Sequence, residues 1–275
     1  MFDHRAADVV VNAANLHRAA QPRVIEALEK ASPERFPVPQ FFVRRTDVSG
    51  GHAMPYGLVF KDVTSPTNMR TMIAAVVPAS ALANTLPALI GDADDRSMPR
   101  VIALVLANLT SMVFDFIARQ KVQGQHLNWF ILEQLPFITA ERFDQALPSR
   151  FAAHQRATGL MNGHHPQPTV ADFIVPQVLA LSYTAHDLTP FARDLGYVDA
   201  SGDVLPPIQW NEEDRRARLA ALDGLFMHLY GLDEADAAHV LDSFPIVREQ
   251  DTAAFGHYRT KDDVLAQLRL AREVS

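Results

Sequence analysis

The sequence predicts an α+β chain, with a β-rich first part built around one central apolar helix and a mainly helical part after it. Three observations predict this. Short apolar segments rich in β-branched and aromatic residues, separated by turn residues, fill residues 40–90. Residues 100–118 form a long apolar run with end signals on both sides. Farther on, helix-capping residues recur at Asp187, Asn211, Asp233 and Thr260. A soft boundary near 140–165 divides the chain into an α/β unit over 1–150 and a helical, acidic unit over 151–275.

Taken in order, Val9-Val10-Val11-Asn12 reads as a strand and residues 24–28 as a short helix. Pro33, Pro37 and Pro39 then punctuate the chain. Phe41-Phe42-Val43, residues 56–60 and residues 69–77 are strand candidates, the last stopped by Pro78. Between the last two, Thr64-Ser65-Pro66-Thr67-Asn68 has turn chemistry. Ser97 can cap the apolar helix at 100–118, Pro99 suits its first turn, and Arg119 and Lys121 complement its C-terminal dipole. A loop at 122–126 leads into a strand-like run at 127–132.

In the second half, residues 162–168 read as a loop. Pro176 can open a helix through Leu181, because proline is tolerated in a first turn. Asp187 caps 188–195, with Gly196 as the stop. Asn211 caps a longer helix whose first turn holds Glu212, Glu213 and Asp214 and which Gly231 ends. Leu219, Leu222, Leu225, Phe226 and Leu229 form its apolar stripe. Asp233 caps a helix to about Asp242, and Thr260 caps the last one.

The chain has 275 residues, of which 48% are apolar and 21% charged, which excludes a disordered or collagen-like chain. Without cysteine it can form neither disulfides nor zinc–thiolate sites. No leader-like apolar segment opens it, so a cytoplasmic location is expected. The uncharged stretch at 101–114 is too short for a membrane span, so a buried core helix is expected and no membrane partner. The net charge of −7 is uneven. Residues 1–150 carry 15 Lys/Arg against 14 Asp/Glu, and 151–275 carry 10 against 18. Wholesale coating of nucleic acid is excluded, whereas a local basic groove in the first half is not.

Local motifs support no enzyme class. A glycine-rich dinucleotide fingerprint, a P-loop, a nucleophile elbow, a zincin helix and an EF-hand loop are all missing. His164-His165 has no third ligand in sequence, and adjacent loop side chains rarely converge on one metal. Of the acidic pairs Asp94-Asp95, Glu212-Glu213 and Asp262-Asp263, the last two sit at helix starts, where the dipole alone accounts for them.

A polar cluster in the first half carries more information. Arg44 and Arg45 follow an aromatic segment, and Lys61 ends the next strand candidate. Thr67, Asn68, Arg70 and Thr71 occupy the following turn. Arg119, Lys121, Gln123, Gln125, His126 and Asn128 crowd one loop around Gly124. Arginine and lysine donate to guanine edges, the amides of Gln and Asn pair with adenine, and hydroxyls reach phosphates. A solvated polar edge has the same composition. Arg70, inside an apolar segment, also reads as a buried pairing residue, and Asn128 as a partner of its own loop.

A resemblance bears on that choice. Residues 60–64 and 67–78, Asn84-Thr85-Leu86-Pro87, residues 106–111 and 115–121, and His126-Leu127-Asn128-Trp129-Phe130-Ile131-Leu132-Glu133-Gln134-Leu135-Pro136 are similar to the C-terminal part of large adenine-N6 DNA methyltransferases. Those enzymes occur in type IIG restriction–modification and in BREX-like phage-defence systems. Tyr183-Thr184-Ala185-His186-Asp187-Leu188, residues 229–232, 244–247 and 258–261 extend the resemblance over nearly the whole chain.

The resemblance implies a target-recognition domain that docks on double-stranded DNA and selects the sequence to be methylated. It also implies that the loop at 121–128 and the hairpin around 68–71 face DNA. Two features depart from the family. The cofactor-binding and methyl-transfer motifs are missing: Pro206-Pro207-Ile208 lacks the Asn or Asp before and the aromatic residue after that the amino-methyltransferase motif requires. The start near Phe2-Asp3-His4-Arg5 resembles a point inside longer proteins, as in a truncation, a split gene or a stand-alone fragment.

The chain itself is therefore expected to hold no cofactor and to be inactive alone. S-adenosylmethionine is implied for a separate methyltransferase catalytic domain, in cis or in trans, against which the acidic helical half would pack. Two other readings stand beside this one: a protein-interaction module of a defence complex, and a metal-dependent hydrolase using His164.

Overall fold

A three-stranded sheet and a sharply bent helix organise the first half, and seven longer or medium helices enclose them. The computed structural model describes residues 2–16, 21–47, 54–92, 94–162 and 166–272. Strands β1 (Ala7–Asp8) and β2 (Arg23–Val24) pair antiparallel, and a single helical turn α1 (Ala27–Lys30) follows. Strands β3 (Tyr56–Phe60), β4 (Ala74–Pro78) and β5 (Ala88–Leu89) form an antiparallel sheet in the order β4-β3-β5. Leu58 lies opposite Val76 on one side and Leu89 on the other. Helices α2 (Met98–Thr110) and α3 (Met112–Lys121) come next, then the short turns α4 (Trp129–Leu132) and α5 (Ala140–Phe143). The rest is helical: α6 (Ser149–Ala157), α7 (Val170–Ser182), α8 (Thr189–Asp194), α9 (Glu212–Leu229), α10 (Glu234–Asp242), α11 (Pro245–Phe255) and α12 (Arg259–Arg272).

The fold is α+β with a helical C-terminal part, as expected, with helix at 47% and strand at 9%. Several segments differ from expectation for identifiable reasons. The run Val9-Val10-Val11-Asn12 is not a strand: pairing is confined to Ala7 and Asp8, and Val10 and Val11 are exposed. Val24 belongs to β2, and the helix expected over 24–28 starts three residues later, at Ala27. Phe41-Phe42-Val43 has strand composition but, among the described residues, no strand partner, and its side chains face solvent. Residues 69–73 do not join β4, because the amides of Thr71 and Met72 bond to a carboxylate instead.

The apolar run expected as one helix is two, bent by 64° at Ser111. Ser111 has an extended conformation and serves both pieces. Its hydroxyl donates to Asn108 O at 2.8 Å and accepts from the Phe114 N–H at 3.3 Å, so the second helix starts on a proper serine cap. Among the described residues no single helix is long and apolar enough to cross a membrane. Residues 127–132, expected as a strand, form the turn α4, because the Asn128 side chain accepts from the Ile131 N–H and caps a helix. Pro176 lies inside α7 and does not open it. That helix starts six residues earlier on a Thr169/Asp172 capping box. Helix α8 follows a 3-10 turn at His186–Leu188 and has no side-chain cap from Asp187. Thr260 sits in the first turn of α12, and its N–H donates to Asp251. The caps at Asn211 and Asp233 are where the sequence puts them, accepting from Asp214 and Asp236 N–H. Gly196 and Gly231 take the left-handed conformation that ends a helix.

One hydrophobic cluster runs from Phe2 through β3, α2, α7 and α9 to Ala271, across the region where the sequence suggests a boundary. Buried polar groups stitch it together. Asn108 donates to the Tyr230 hydroxyl at 2.7 Å and accepts from Ile138 N–H at 2.9 Å, and Tyr230 donates to Pro136 O. Helix α9 lies directly along α12. Gly224 makes this possible: a Cβ there would meet Gln267 Cβ at 2.4 Å and Leu268 N at 2.9 Å.

Substituting Gly224→Ala therefore forces two helix backbones apart. It should destabilise the chain by about 1–3 kcal/mol despite alanine's better helix propensity. Urea denaturation checks this, and a variant as stable as the parent would contradict the close approach.

Candidate functional site

Most residues singled out by sequence fall on two neighbouring segments, the turn at 61–73 and the loop at 121–128, with Arg119 on α3 and Arg44 and Arg45 apart from them. Each of the two segments is irregular backbone, so each needs a partner for its amides and carbonyls. The turn closes on itself through hydroxyls. Thr64 Oγ1 donates to Thr71 O at 2.7 Å, and Thr71 Oγ1 donates to Ser65 O at 3.1 Å. It is then clipped to α3 by Asp115, which is fully buried one turn into that helix. The Asp115 carboxylate accepts from Thr71 N–H at 2.9 Å, from Met72 N–H at 3.1 Å and from Arg70 Nε at 2.5 Å. Arg70 also donates to Thr110 O, which the helix break leaves free.

Arg119 completes the clip from the next turn of α3. It donates to Asn68 O at 2.8 Å, to Met69 O at 2.7 Å and to Ser243 O at 3.1 Å, and lies 4.1 Å from the Phe244 ring centre. Burial holds its guanidinium below the ordinary arginine range, with Asp115 pulling the other way.

The loop joins the turn by backbone pairing. Leu127 N–H donates to Asp62 O at 2.8 Å, Thr64 N–H donates to Gln125 O at 2.9 Å, and Val63 bridges His126 antiparallel. Asp62 and His126 also meet through side chains, Oδ2 to Nδ1 at 2.8 Å. This pairing brings Lys61 and the turn beside Lys121, Gln123, Gln125 and His126, all exposed. Asn68 and Met69 are exposed on the same turn. Next to them, Trp129 and Phe130 project their rings, and Trp129 meets Phe60 edge to face at 5.2 Å.

The sequence candidates thus divide by role. Arg70, Thr71 and Arg119, expected to face DNA, are internal: each polar side chain is committed to the clip, and Arg70 and Thr71 are buried. Asn128 is a helix cap with its carbonyl engaged by Ile131 N–H. Lys61, Asn68, Lys121, Gln123, Gln125 and His126 form the exposed rim. Arg44 is exposed on the segment before the sheet, and Arg45 lies in the 3-10 turn Arg45–Asp47. His164-His165 lies outside the described residues, and among these no group of three or more His, Asp or Glu side chains could hold a metal. The acidic pairs are used locally. Glu212 accepts from Trp210 Nε1, Glu213 and Asp263 pair with Arg259, and Asp94 N–H turns back onto Asp92.

The residues singled out by sequence do not include Asp115. The signal was there: Asp115 is the one charged residue between Arg100 and Arg119, set inside an apolar run. Asp223 is a second omission. It accepts from Met112 N–H at 2.7 Å and so fastens the start of α3 to α9. Burial pushes its carboxyl up to about 6, against the opposing pull of Arg70 and of the Met112 N–H.

Comparison with protein-family models, with curated proteins and with solved structures returns no match to this chain.

Two expectations follow from the clip. Asp115→Asn removes the charge opposite a buried arginine, and the loss should be about 3–5 kcal/mol, read from chemical denaturation. A loss below 1 kcal/mol would mean the turn holds itself. Asp223 makes stability depend on pH. Its unfolded carboxyl ionises near 3.8, whereas in the fold it keeps its proton to about 6. Stability from this group is therefore full below pH 4 and declines as pH rises to 6, by roughly 3 kcal/mol at most. In Asp223→Asn that decline should vanish while the bond to Met112 stays. Denaturation midpoints at pH 4.5 and 7.5 test it, and equal slopes in parent and variant would contradict the assignment.

Proposed function

We propose that this chain is the sequence-recognition module of an adenine-specific DNA methyltransferase or restriction–modification enzyme, with the catalytic machinery on another polypeptide segment. The observation supporting this is the exposed rim in which Lys61, Asn68, Lys121, Gln123, Gln125 and His126 share one backbone-paired edge. Lysines suit phosphates, and the amides of asparagine and glutamine suit adenine in the major groove. A rigid clip behind the rim holds irregular backbone in place, as base readout requires. The resemblance of residues 60–136 to methyltransferase recognition regions points the same way. Methyl transfer would then take place elsewhere, on an adenine flipped into a pocket of the catalytic segment that also carries S-adenosylmethionine.

The face that would meet that segment is better supported on the first half than on the acidic helices. Phe36, Val38, Phe41, Phe42 and Val43 are all exposed. Among the described residues of 151–275, Phe255 is the one large apolar side chain exposed to that extent. The same exposed segment is what a protein-interaction module of a defence complex would use, which keeps that second reading in view.

Fluorescence anisotropy with pooled duplexes, with and without the catalytic segment, tests the proposal. Lys61→Ala and Lys121→Ala should each weaken binding to all sequences alike and lower the salt dependence by about one counterion. Gln125→Ala should change which duplexes are enriched. Binding that ignores ionic strength, or none with the catalytic segment present, would overturn the reading. Lys121→Glu separates the two readings, because Arg119 is engaged in the clip and its reversal would disturb the fold. Loss of assembly with DNA affinity retained would favour the interaction module.

A further inference from the structure

A cavity of about 380 Å³ opens between the N-terminal segment and the starts of α9 and α12, within the size range of small-molecule sites. Much of its lining is apolar, from Met69, Met112, Leu219, Val247 and Val264. Methionines give such a wall an adaptable shape and favour contact with aromatic rings. Its charged residues differ in one respect. Most already have partners: Arg70 with Asp115, Arg216 with Asp251, Asp263 with Arg259 and Asp3 with Arg5. Of the other two acids, Glu212 accepts from Trp210 Nε1 and Asp223 from Met112 N–H.

Lys30 and Arg215 stand apart. Among the described residues neither reaches a carboxylate at ion-pair distance. Both instead approach the Trp210 ring, Lys30 Nζ at 4.4 Å and Arg215 at 3.9 Å from its centre. Arg215 also donates to Leu181 O at 2.9 Å and is buried. A buried Arg215 and a half-buried Lys30 that face one cavity without a carboxylate at contact distance are costly unless an anion joins them.

We propose that this cavity binds a small organic anion with an apolar body, a phosphomonoester or a carboxylate, held by Lys30 and Arg215 beside Trp210. The body would lie on the methionine and aliphatic lining, and the anionic group would take the place of the missing carboxylate. The titration behaviour of both cations agrees. Burial lowers Lys30 and brings Arg215 down to about 10, while Asp3 and Glu212 oppose this only from a distance. Lys30, Arg215 and Trp210 lie off the exposed rim, although Met69 and Arg70 of the clipped turn line the same cavity.

The chain holds two tryptophans, so Trp129→Phe leaves Trp210 as the only indole reporter of the cavity. In that background, phenyl phosphate, benzoate and phenol are titrated while Trp210 emission is followed. Phenol shares the ring and lacks the full charge. At least one of the two anions should change emission saturably, and phenol should bind at least about tenfold more weakly, the discrimination expected of a charge-assisted contact. Which anion binds more tightly separates phosphate from carboxylate. Adding Lys30→Met, a partly exposed position, should weaken the preferred anion by at least about tenfold. Its melting curve should match the parent's. Phenol binding as tightly as both anions, no response to either anion up to about 10 mM, or unchanged affinity in Lys30→Met would overturn the proposal.

Discussion

The carboxylate of Asp115 is the constraint on which the first half of the molecule depends. It is fully buried and receives two backbone amides and one guanidinium from the turn at 70–72. An irregular turn cannot satisfy those amides by strand pairing, and a buried arginine cannot go without a counter-charge. One aspartate meets both needs. It can do so only because the helix breaks at Ser111, which sets α3 at an angle that delivers Asp115 beneath the turn. The bend, the carboxylate and the turn are one device.

Arg119 extends the device outward. By donating to the carbonyls of Asn68 and Met69, it fixes the tip of the turn, while Phe244 carries the guanidinium on its ring. The loop at 121–128 is then paired to the same turn through residues 62–64. Charged and amide side chains at the edge are held on a stiff base although they belong to loops. The second half contributes to this base from a distance: Asp223 fastens α3 to α9, and Gly224 beside it lets α9 lie close against α12. The exposed rim of the first half and the helices of the second are therefore not energetically separate.

Parts of this were legible in the residues. Caps at Asn211 and Asp233 and stops at Gly196 and Gly231 act through atoms within a few residues of themselves, so local reading suffices. The strand at Tyr56–Phe60 was legible for a related reason, since its composition fits a central strand flanked on both sides. Phe41-Phe42-Val43 has equally good composition and is no strand, because a strand needs a neighbour that composition does not supply. Residues 127–132 misled in the same way: apolar and aromatic side chains suit both strand and helix, and the Asn128 cap decided the matter.

Alone, the sequence determined the α+β class and the caps at Asn211 and Asp233, because propensity and capping are properties of single side chains and near neighbours. The tertiary structure decided which polar residues stay exposed. Arg70, Thr71 and Arg119 look the same in sequence as Lys61, Lys121 and Gln125, yet the first three are spent on Asp115 and on open carbonyls, and the others are left at the surface. The same holds for Lys30 and Arg215, which meet at Trp210 from positions 185 residues apart in the chain. Burial and partnership depend on contacts between distant segments, and those exist only once the chain has folded.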